Sequence, residues 1–278
     1  MRILPAAPGT GIVFHRIDLD GFEIEAISRN VARVSYATSL MKKGVLISTT
    51  EHLLSAFIGL GVDNAIVEID NLELPILDGS ALPFVDLIQQ AGIRKQRRPR
   101  KYLKILREVE MRERNKFISV YPANSYSVSY SIDFPHPLIG KETLQVELSN
   151  GSYLRKIAAA RTFGSREDEK AMRNMGLIRG ASRENCIVLT RDGIENGPLR
   201  FPDEFVRHKV LDLVGDLALL GKPILGRIVA DRAGHAMHTA LVSRILRDKT
   251  LWEEVTLSEQ DGDPASSYSS QAAAGSSL

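Results

Sequence analysis

The sequence predicts an α+β protein in which sheets pack on a small number of helices. The first observation is a set of short runs that alternate apolar and polar residues, as half-buried antiparallel strands do. The second is that helical patterns are fewer and do not alternate regularly with these runs, which argues against a repeated strand–helix–strand unit. The third is a coarse internal repeat of an apolar helix followed by a strand.

The individual elements follow from these patterns. Strands are predicted where the alternation is clearest, at 11–15, 65–69, 117–121, 126–132 and 224–230. Helices are predicted where apolar residues recur at three- and four-residue spacing, at 51–59, 83–91, about 152–158, 166–175, 203–220 and 238–247.

Composition excludes several classes of protein. Of the 278 residues, 44% are hydrophobic and 25% charged, which excludes collagen, coiled coil and a largely disordered chain. The net charge of +2, without a basic motif, argues against nucleic-acid binding. Cys186 is the single cysteine and can form neither an internal disulfide nor a thiolate cluster. The sequence has neither a signal-peptide core nor a run of 18 apolar residues, so we expect a cytoplasmic protein. We also expect a monomer.

A basic segment divides the chain. Eight of the fourteen residues at 94–107 are Lys or Arg, and we predict a first domain at 1–98 and a second at 99–260. One interpretation of this segment is a solvated linker with an edge strand; the other is a patch that attracts an anionic membrane surface or phosphates. The tail at 261–278 is rich in Ser, Ala and Gly and is predicted to be disordered.

The internal repeat places a histidine near the start of each helix. His52 lies in the first copy and His208 in the second, 156 residues later (208 − 52), and glycines follow seven residues after each, at Gly59 and Gly215. This pattern indicates two similar half-molecules, although chance similarity of two amphipathic helices would look the same.

A metal site is one interpretation of the chemistry in these helices. His208 and Asp212 are four residues apart and share a helix face, and Asp216 follows one turn later. With His52, the pair His208 and Asp212 forms the two-histidine, one-aspartate set of a catalytic zinc site. Glu51 next to it suits a general base, and His235 could protonate a leaving amine. The alternatives are a plain hydrogen-bonded His–Asp pair and a non-haem Fe²⁺ site.

Longer motifs occur together in one order. They are STTEHLLSA from Ser48, GLGVDN from Gly59, ELPILDGSA from Glu73, SIDFPHP from Ser131, ARTFG from Ala160 and DEFVRHKVLDLVGD from Asp203. Over about residues 3–257 the chain resembles the UDP-3-O-acyl-N-acetylglucosamine deacetylase family, which catalyses the committed step of lipid A synthesis in Gram-negative bacteria. The resemblance implies two similar two-layer domains, each a mainly antiparallel sheet packed on helices, with small inserts.

The resemblance also implies roles for individual residues. Zn²⁺, with Fe²⁺ as a second possibility, would be held by His52, His208 and Asp212. Glu51 would be the general base, His235 the general acid or electrostatic partner, Thr162 the oxyanion stabiliser, and Asp216 the carboxylate that orients the histidine. The residues implied to contact the UDP-activated acylated glucosamine substrate are Lys209, Lys116, Phe134, Asp133 and Phe163. The insert at about 164–200 would form an acyl passage, with Met172, Met175, Leu177 and Ile178.

Two departures from the family are visible. The family begins about thirty residues earlier, with a strand and a glycine-rich turn that carries a histidine, and His238 stands where the family commonly has asparagine. A relative that only binds the sugar nucleotide is therefore one alternative to the zinc deacetylase, and an iron oxygenase is another.

Overall fold

The structure is a computed structural model that describes residues 1–32, 34–165 and 185–257. No helix among these residues is long and apolar enough to cross a membrane. Single 3-10 turns occur at Ile17–Leu19, Ser28–Asn30 and Ala218–Leu220. The α-helices are α1 (Glu51–Leu60), α2 (Leu82–Ala91), α3 (Asn150–Lys156), α4 (Glu204–Leu217) and α5 (His235–Arg247).

The first half of the chain contains one four-stranded sheet and one hairpin. Its strands are β1 (Arg2–Pro5), β2 (Ile12–Arg16), β3 (Phe22–Glu25), β4 (Leu40–Lys42), β5 (Val45–Ile47) and β6 (Ala65–Ile69). The sheet has the order β1-β6-β2-β3, in which only β2 and β6 are parallel. The hairpin joins β4 to β5 through Lys43 and Gly44, whose φ angles are both positive, as a two-residue hairpin turn requires.

The second half contains a seven-stranded mixed sheet. The order is β11-β10-β14-β7-β15, and β9 pairs with both β14 and β8. Strands β12 and β13 form a separate parallel pair. The strands are β7 (Lys101–Ile105), β8 (Val109–Glu113), β9 (Lys116–Tyr121), β10 (Tyr126–Phe134), β11 (Gly140–Glu147), β12 (Phe163–Ser165), β13 (Ile187–Leu189), β14 (Ile224–Asp231) and β15 (Trp252–Thr256).

The two helices of the internal repeat, α1 and α4, pack against each other. Close approach depends on Gly215, because a Cβ atom there would lie 2.0 Å from the carbonyl oxygen of Glu51. On α1, a Cβ atom at Gly59 would lie 2.1 Å from the ring of Tyr153 on α3. Buried apolar residues of both halves form one continuous core around this helix pair.

The predicted fold class is confirmed, since antiparallel-rich sheets pack on a few helices. The edge strand predicted in the basic segment is wrong: β7 lies between β14 and β15, because β15 returns from the end of the described chain to cover it. The last helix begins at His235 rather than at 238. The domain boundaries stay a prediction, and the helix predicted at 166–175 and the tail at 261–278 lie outside the described residues.

Candidate metal centre and active site

Three side chains from the two halves of the chain converge at the α1–α4 contact. His52 lies in the first turn of α1, and His208 and Asp212 lie one turn apart on α4. Nε2 of His208 is 3.2 Å from Oδ1 of Asp212, and Nε2 of His52 is 3.7 Å from the same oxygen. All three residues are buried, and one ligand atom of each lies within 4.8 Å of the others.

Neighbouring groups orient these side chains. Nδ1 of His208 lies 3.0 Å from the carbonyl oxygen of Ala160, to which it can only donate, so Nε2 is the nitrogen that faces the cluster. Ala160 is fixed by its neighbour Arg161, which donates through its backbone and side chain to the buried carboxylate of Glu204 in the first turn of α4. Lys209 Nζ donates to Oδ2 of Asp212 at 2.6 Å.

The protonation states of the cluster suit a cation. Burial and the neighbouring charge of His208 lower the pKa of His52 to about 3, so its imidazole is neutral and able to coordinate. Burial alone would raise the pKa of Asp212, but His208 and Lys209 outweigh it and hold that pKa well below the usual range. The site therefore offers two imidazoles and a carboxylate, and Nδ1 of His52 has no hydrogen-bond partner among the described residues.

Glu51 begins α1 next to His52 and is almost completely buried. Its Oε2 accepts a hydrogen bond from the backbone N–H of Thr38 at 3.1 Å. Burial raises the pKa of Glu51 to about 7, although the charge of His235 opposes this. A carboxylate with a pKa near neutrality can both accept and return a proton, as a general base must.

His235 is the first residue of α5 and faces the cluster. Its Nε2 lies 3.8 Å from Oδ2 of Asp212, and its Nδ1 lies 2.8 Å from Oδ2 of Asp216. Burial would lower the pKa of His235, but the charge of Asp216 and the hydrogen bond to it outweigh burial and raise that pKa to about 9. Protonated His235 can therefore donate a proton within the cluster.

An aromatic row leads from the cluster toward the surface. The ring of Phe163 lies 6.2 Å from that of His208 and 5.5 Å from that of Phe134, measured between centroids. Phe134 is 36% exposed, and Lys209 Nζ lies 5.6 Å from the centroid of Phe163. The two phenylalanine rings thus form an apolar surface next to the cluster, and Lys209 adds a positive charge to it.

The remaining predicted residues lie outside the buried cluster. Asp133 is exposed, and its carboxylate lies 3.9 Å from Arg232 and 4.0 Å from Lys141. Lys116 is exposed at the start of β9. The pairing of β10 and β9 with β14 places Asp133 and Lys116 at the same end of the sheet, the end from which the chain continues to α5. Their roles stay predictions.

Thr162 lies between the site and the first half of the chain. Its backbone N–H donates to the carbonyl of Gly79 at 2.8 Å, and its carbonyl accepts from Ile187 at 2.8 Å. These bonds hold Thr162 in the segment that also supplies the Ala160 carbonyl and the Phe163 ring. The residues Met172, Met175, Leu177 and Ile178, predicted for the acyl passage, lie outside the described residues.

Sequence reasoning assigned no site role to Thr38 or His238. The hydroxyl of Thr38 donates to Oδ1 of Asp216 at 2.5 Å. His238, fully buried, places its Nδ1 2.8 Å from Oδ2 of Asp216 and its Nε2 3.0 Å from the Tyr130 hydroxyl. A sequence pattern did indicate His238, since it lies three residues after His235 on a helix and so shares a face with it. No pattern indicated Thr38, because it stands in a loop without a motif.

These features define a metal-dependent hydrolase centre, in which two imidazoles and a carboxylate converge beside the buried carboxyl group of Glu51 and the protonated imidazole of His235. A divalent ion fits the residues present, because Nδ1 of His208 is taken by the Ala160 carbonyl while its Nε2 faces Asp212, His52 is neutral and Asp212 is charged.

The chain belongs to the UDP-3-O-acyl N-acetylglycosamine deacetylase family, whose model matches residues 1–247. A UDP-3-O-acyl-N-acetylglucosamine deacetylase of Solibacter usitatus (strain Ellin6076) is 55% identical over 93% of this chain and 88% of its own length. Proteins of the same name from Anaeromyxobacter dehalogenans (strain 2CP-C) and Anaeromyxobacter sp. (strain Fw109-5) are each 44% identical over 95% of this chain, covering 86% and 87% of their own lengths.

Proposed function

We propose that the chain hydrolyses the acetamide of UDP-3-O-acyl-N-acetylglucosamine, releasing acetate and a free sugar amine, in lipid A biosynthesis. The observation that carries this proposal is the convergence of His52, His208 and Asp212 next to Glu51 and His235. Family membership and the names of relatives that align along most of their length support the choice of substrate.

His52, His208 and Asp212 would hold Zn²⁺, with Fe²⁺ the second candidate because the same ligands suit either ion. When bound, such an ion polarises a carbonyl and acidifies water. Glu51 would take a proton from the water that attacks the acetamide carbon. The Thr162 hydroxyl would donate a hydrogen bond to the developing oxyanion.

The second half of the reaction needs a proton for the leaving amine. His235 would supply it, because Asp216 keeps the imidazole protonated and points Nε2 toward the cluster. Glu51 would therefore take a proton from water and His235 would give one to the leaving amine, which are the two proton transfers that amide hydrolysis requires.

The surface next to the cluster would bind the substrate. Phe134 is partly exposed at the end of the aromatic row and would stack on the uracil ring, with Phe163 between it and His208. Lys209 and Lys116 would attract the diphosphate, and Asp133 would accept a hydrogen bond beside Phe134.

Acetate release tests the proposal. The purified protein, stripped of metal and given Zn²⁺, should release acetate from UDP-3-O-acyl-N-acetylglucosamine without dioxygen or a reductant. Glu51→Ala should keep its zinc but lose about 10²–10⁴-fold in kcat, whereas His208→Ala should lose zinc. Substrate binding without acetate release would favour the non-catalytic relative, and a need for dioxygen would favour the oxygenase.

We also propose contact with an anionic membrane surface through the end of α2 and the residues that follow it. Leu87 and Ile93 are 52% and 47% exposed, and the basic segment 94–98, which has four cationic side chains, follows directly. Asp86 is the one acidic residue among the residues 82–98. Exposed apolar groups beside a basic cluster suit insertion at a lipid headgroup layer.

Co-sedimentation with lipid vesicles tests this contact. Vesicles that contain phosphatidylglycerol should retain the protein at low salt and release it at high salt, whereas phosphatidylcholine vesicles should not retain it. Serine substitutions at the four cationic residues of 94–98 should abolish retention. The same change at exposed Arg155 and Lys156 of α3 is the matched control and should leave retention intact. Equal loss in both variants would contradict the proposal.

A further inference from the structure

Thr38 contacts the candidate base Glu51, the carboxylate of Asp216 behind the candidate acid and, through its hydroxyl at 3.2 Å, Nδ1 of His235 itself. Thr38 is fully buried in the loop before β4. Its backbone N–H donates to Oε2 of Glu51 at 3.1 Å, and its hydroxyl donates to Oδ1 of Asp216 at 2.5 Å. The carbonyl of Thr38 is itself fixed, because the backbone N–H and the hydroxyl of Thr50 donate to it at 3.2 and 3.1 Å.

The carboxylate of Asp216 is shared among three donors. His235 and His238 each place Nδ1 at 2.8 Å from Oδ2, so both imidazoles depend on one oxygen. The other oxygen, Oδ1, accepts from Thr38. A carboxylate turns about its bond to Cβ unless both oxygens are held. Thr38 therefore holds the second oxygen of Asp216. Without this contact the carboxylate could turn, and both imidazoles would move with it.

We propose that Thr38 is a positioning residue that fixes Glu51 and Asp216 relative to each other, with His238 as the second nitrogen donor to Asp216. This inference rests on the proposed deacetylation. One oxygen of Glu51 is held by the Thr38 N–H, which leaves the other free to accept a proton from water. Asp216, held by the hydroxyl, aims Nε2 of His235 at the cluster, 3.8 Å from Asp212.

The proposal gives Thr38 an effect on turnover rather than on binding. The hydroxyl of Thr38, in the first half of the chain, reaches Asp216 in the second half, 178 positions away. Misplacement of a proton donor by about 1 Å can cost on the order of 10²-fold in rate. Neither the metal ligands nor the aromatic row contacts the Thr38 hydroxyl, so metal content and KM should depend little on it.

Kinetics of three variants form the first test. Thr38→Val removes the hydroxyl but keeps the shape and the backbone N–H, and kcat should fall at least about tenfold, with KM within about twofold and zinc content unchanged. Thr38→Ser should recover most of kcat. Ser39→Ala is the matched control, because it removes a buried hydroxyl whose one hydrogen-bond partner among the described residues is Ser48, and kcat should be unaffected.

The kinetic outcomes separate cleanly. Retention of more than half of kcat in Thr38→Val, equal impairment in Thr38→Ser, or a loss in proportion to zinc would each overturn the proposal. Should the valine variant not fold, Thr38→Ala removes the same hydroxyl without adding a methyl group to a polar site and is read in the same way.

Nuclear magnetic resonance gives a readout that needs no turnover. In protein labelled with ¹⁵N-histidine, the Nδ1–H protons of His235 and His238 should resonate far downfield because both bind a buried carboxylate. His238→Asn removes one signal and so assigns the pair. Thr38→Val should shift both signals, Thr38→Ser should restore them, and Ser39→Ala should move neither.

Unmoved signals in Thr38→Val would overturn the positioning role whether or not the wild-type protein is active. Absence of acetate release by the wild-type protein, with signals that do respond to Thr38→Val, would instead count against the proposed function alone. The two failures are therefore distinguishable.

Discussion

Helices α1 and α4 carry the same pattern, a histidine with a glycine seven residues later, yet the two glycines face different neighbours. Gly215 of α4 lies against the backbone of Glu51, whereas Gly59 of α1 lies against the side chain of Tyr153. The carboxylates differ as well, since α4 has Asp212 and Asp216 after its histidine and α1 has Ala56 at the first of these positions. Helix α4 thus supplies the two aspartates, whereas α1 supplies Glu51 as the candidate base and His52 as a neutral ligand.

The largest expected effect tests this difference between the glycines. Gly215→Ala should push α1 away from α4, because its Cβ would overlap the Glu51 carbonyl, and kcat/KM should fall by at least about 100-fold together with zinc content. Gly59→Ala should lower the melting temperature by displacing Tyr153, while the folded fraction keeps its turnover number and its zinc.

Steady-state kinetics, metal analysis and thermal unfolding separate the two outcomes. The double variant Gly59→Ala/Tyr153→Leu is the control, because a smaller side chain at 153 leaves room for the new methyl group and should recover part of the lost stability. Comparable loss of turnover in both single variants would show that the two glycines serve the same purpose.

A smaller effect concerns the charges that only α4 carries. The protonated form of His235 is the proton donor, so turnover should fall as pH rises through its pKa of about 9. Asp216→Asn removes the negative charge that raises this pKa, so the alkaline fall should move to lower pH. The pH profile of kcat measures the shift, and an unchanged alkaline limb would contradict the role of Asp216.

The smallest expected effect concerns the side of α1 that faces α3. The Tyr153 hydroxyl lies 2.9 Å from Ser55 Oγ in a buried position. Tyr153→Phe should lower the free energy of unfolding by about 1–2 kcal/mol, since Ser55 loses a hydrogen-bond partner, and should leave kcat and its pH profile unchanged. Denaturant unfolding and kinetics check both expectations; a changed pH profile would show that this side of α1 does reach the site.

Much of the fold could be predicted because its signals are local. Alternation located β6 and β10, and helical spacing located α1 and α2 to within one or two residues. The beginning of α5 was missed because Gly234 before His235 favours a loop interpretation, whereas here it precedes the first helical turn. The interior position of β7 could not be predicted, since β15, its covering partner, is about 150 residues away in sequence.

The candidate site, like the fold, could be predicted only where its signals are local. The spacing of His208, Asp212 and Asp216 on one helix indicated a shared face, and the family motifs connected His52 to them. Thr38 has no local pattern around it, and only tertiary packing brings it to Asp216. Residues whose role arises from packing between distant segments leave little trace in a single sequence.

The division of the ligands between α1 and α4 has a consequence for stability as well as for chemistry. An ion held by His52, His208 and Asp212 would tie two remote points of the chain together, much as a disulfide closes a long loop. Its binding would then stabilise the folded chain in proportion to the logarithm of free metal. The concentration of free metal would therefore determine both the turnover rate of this protein and the lifetime of its folded state.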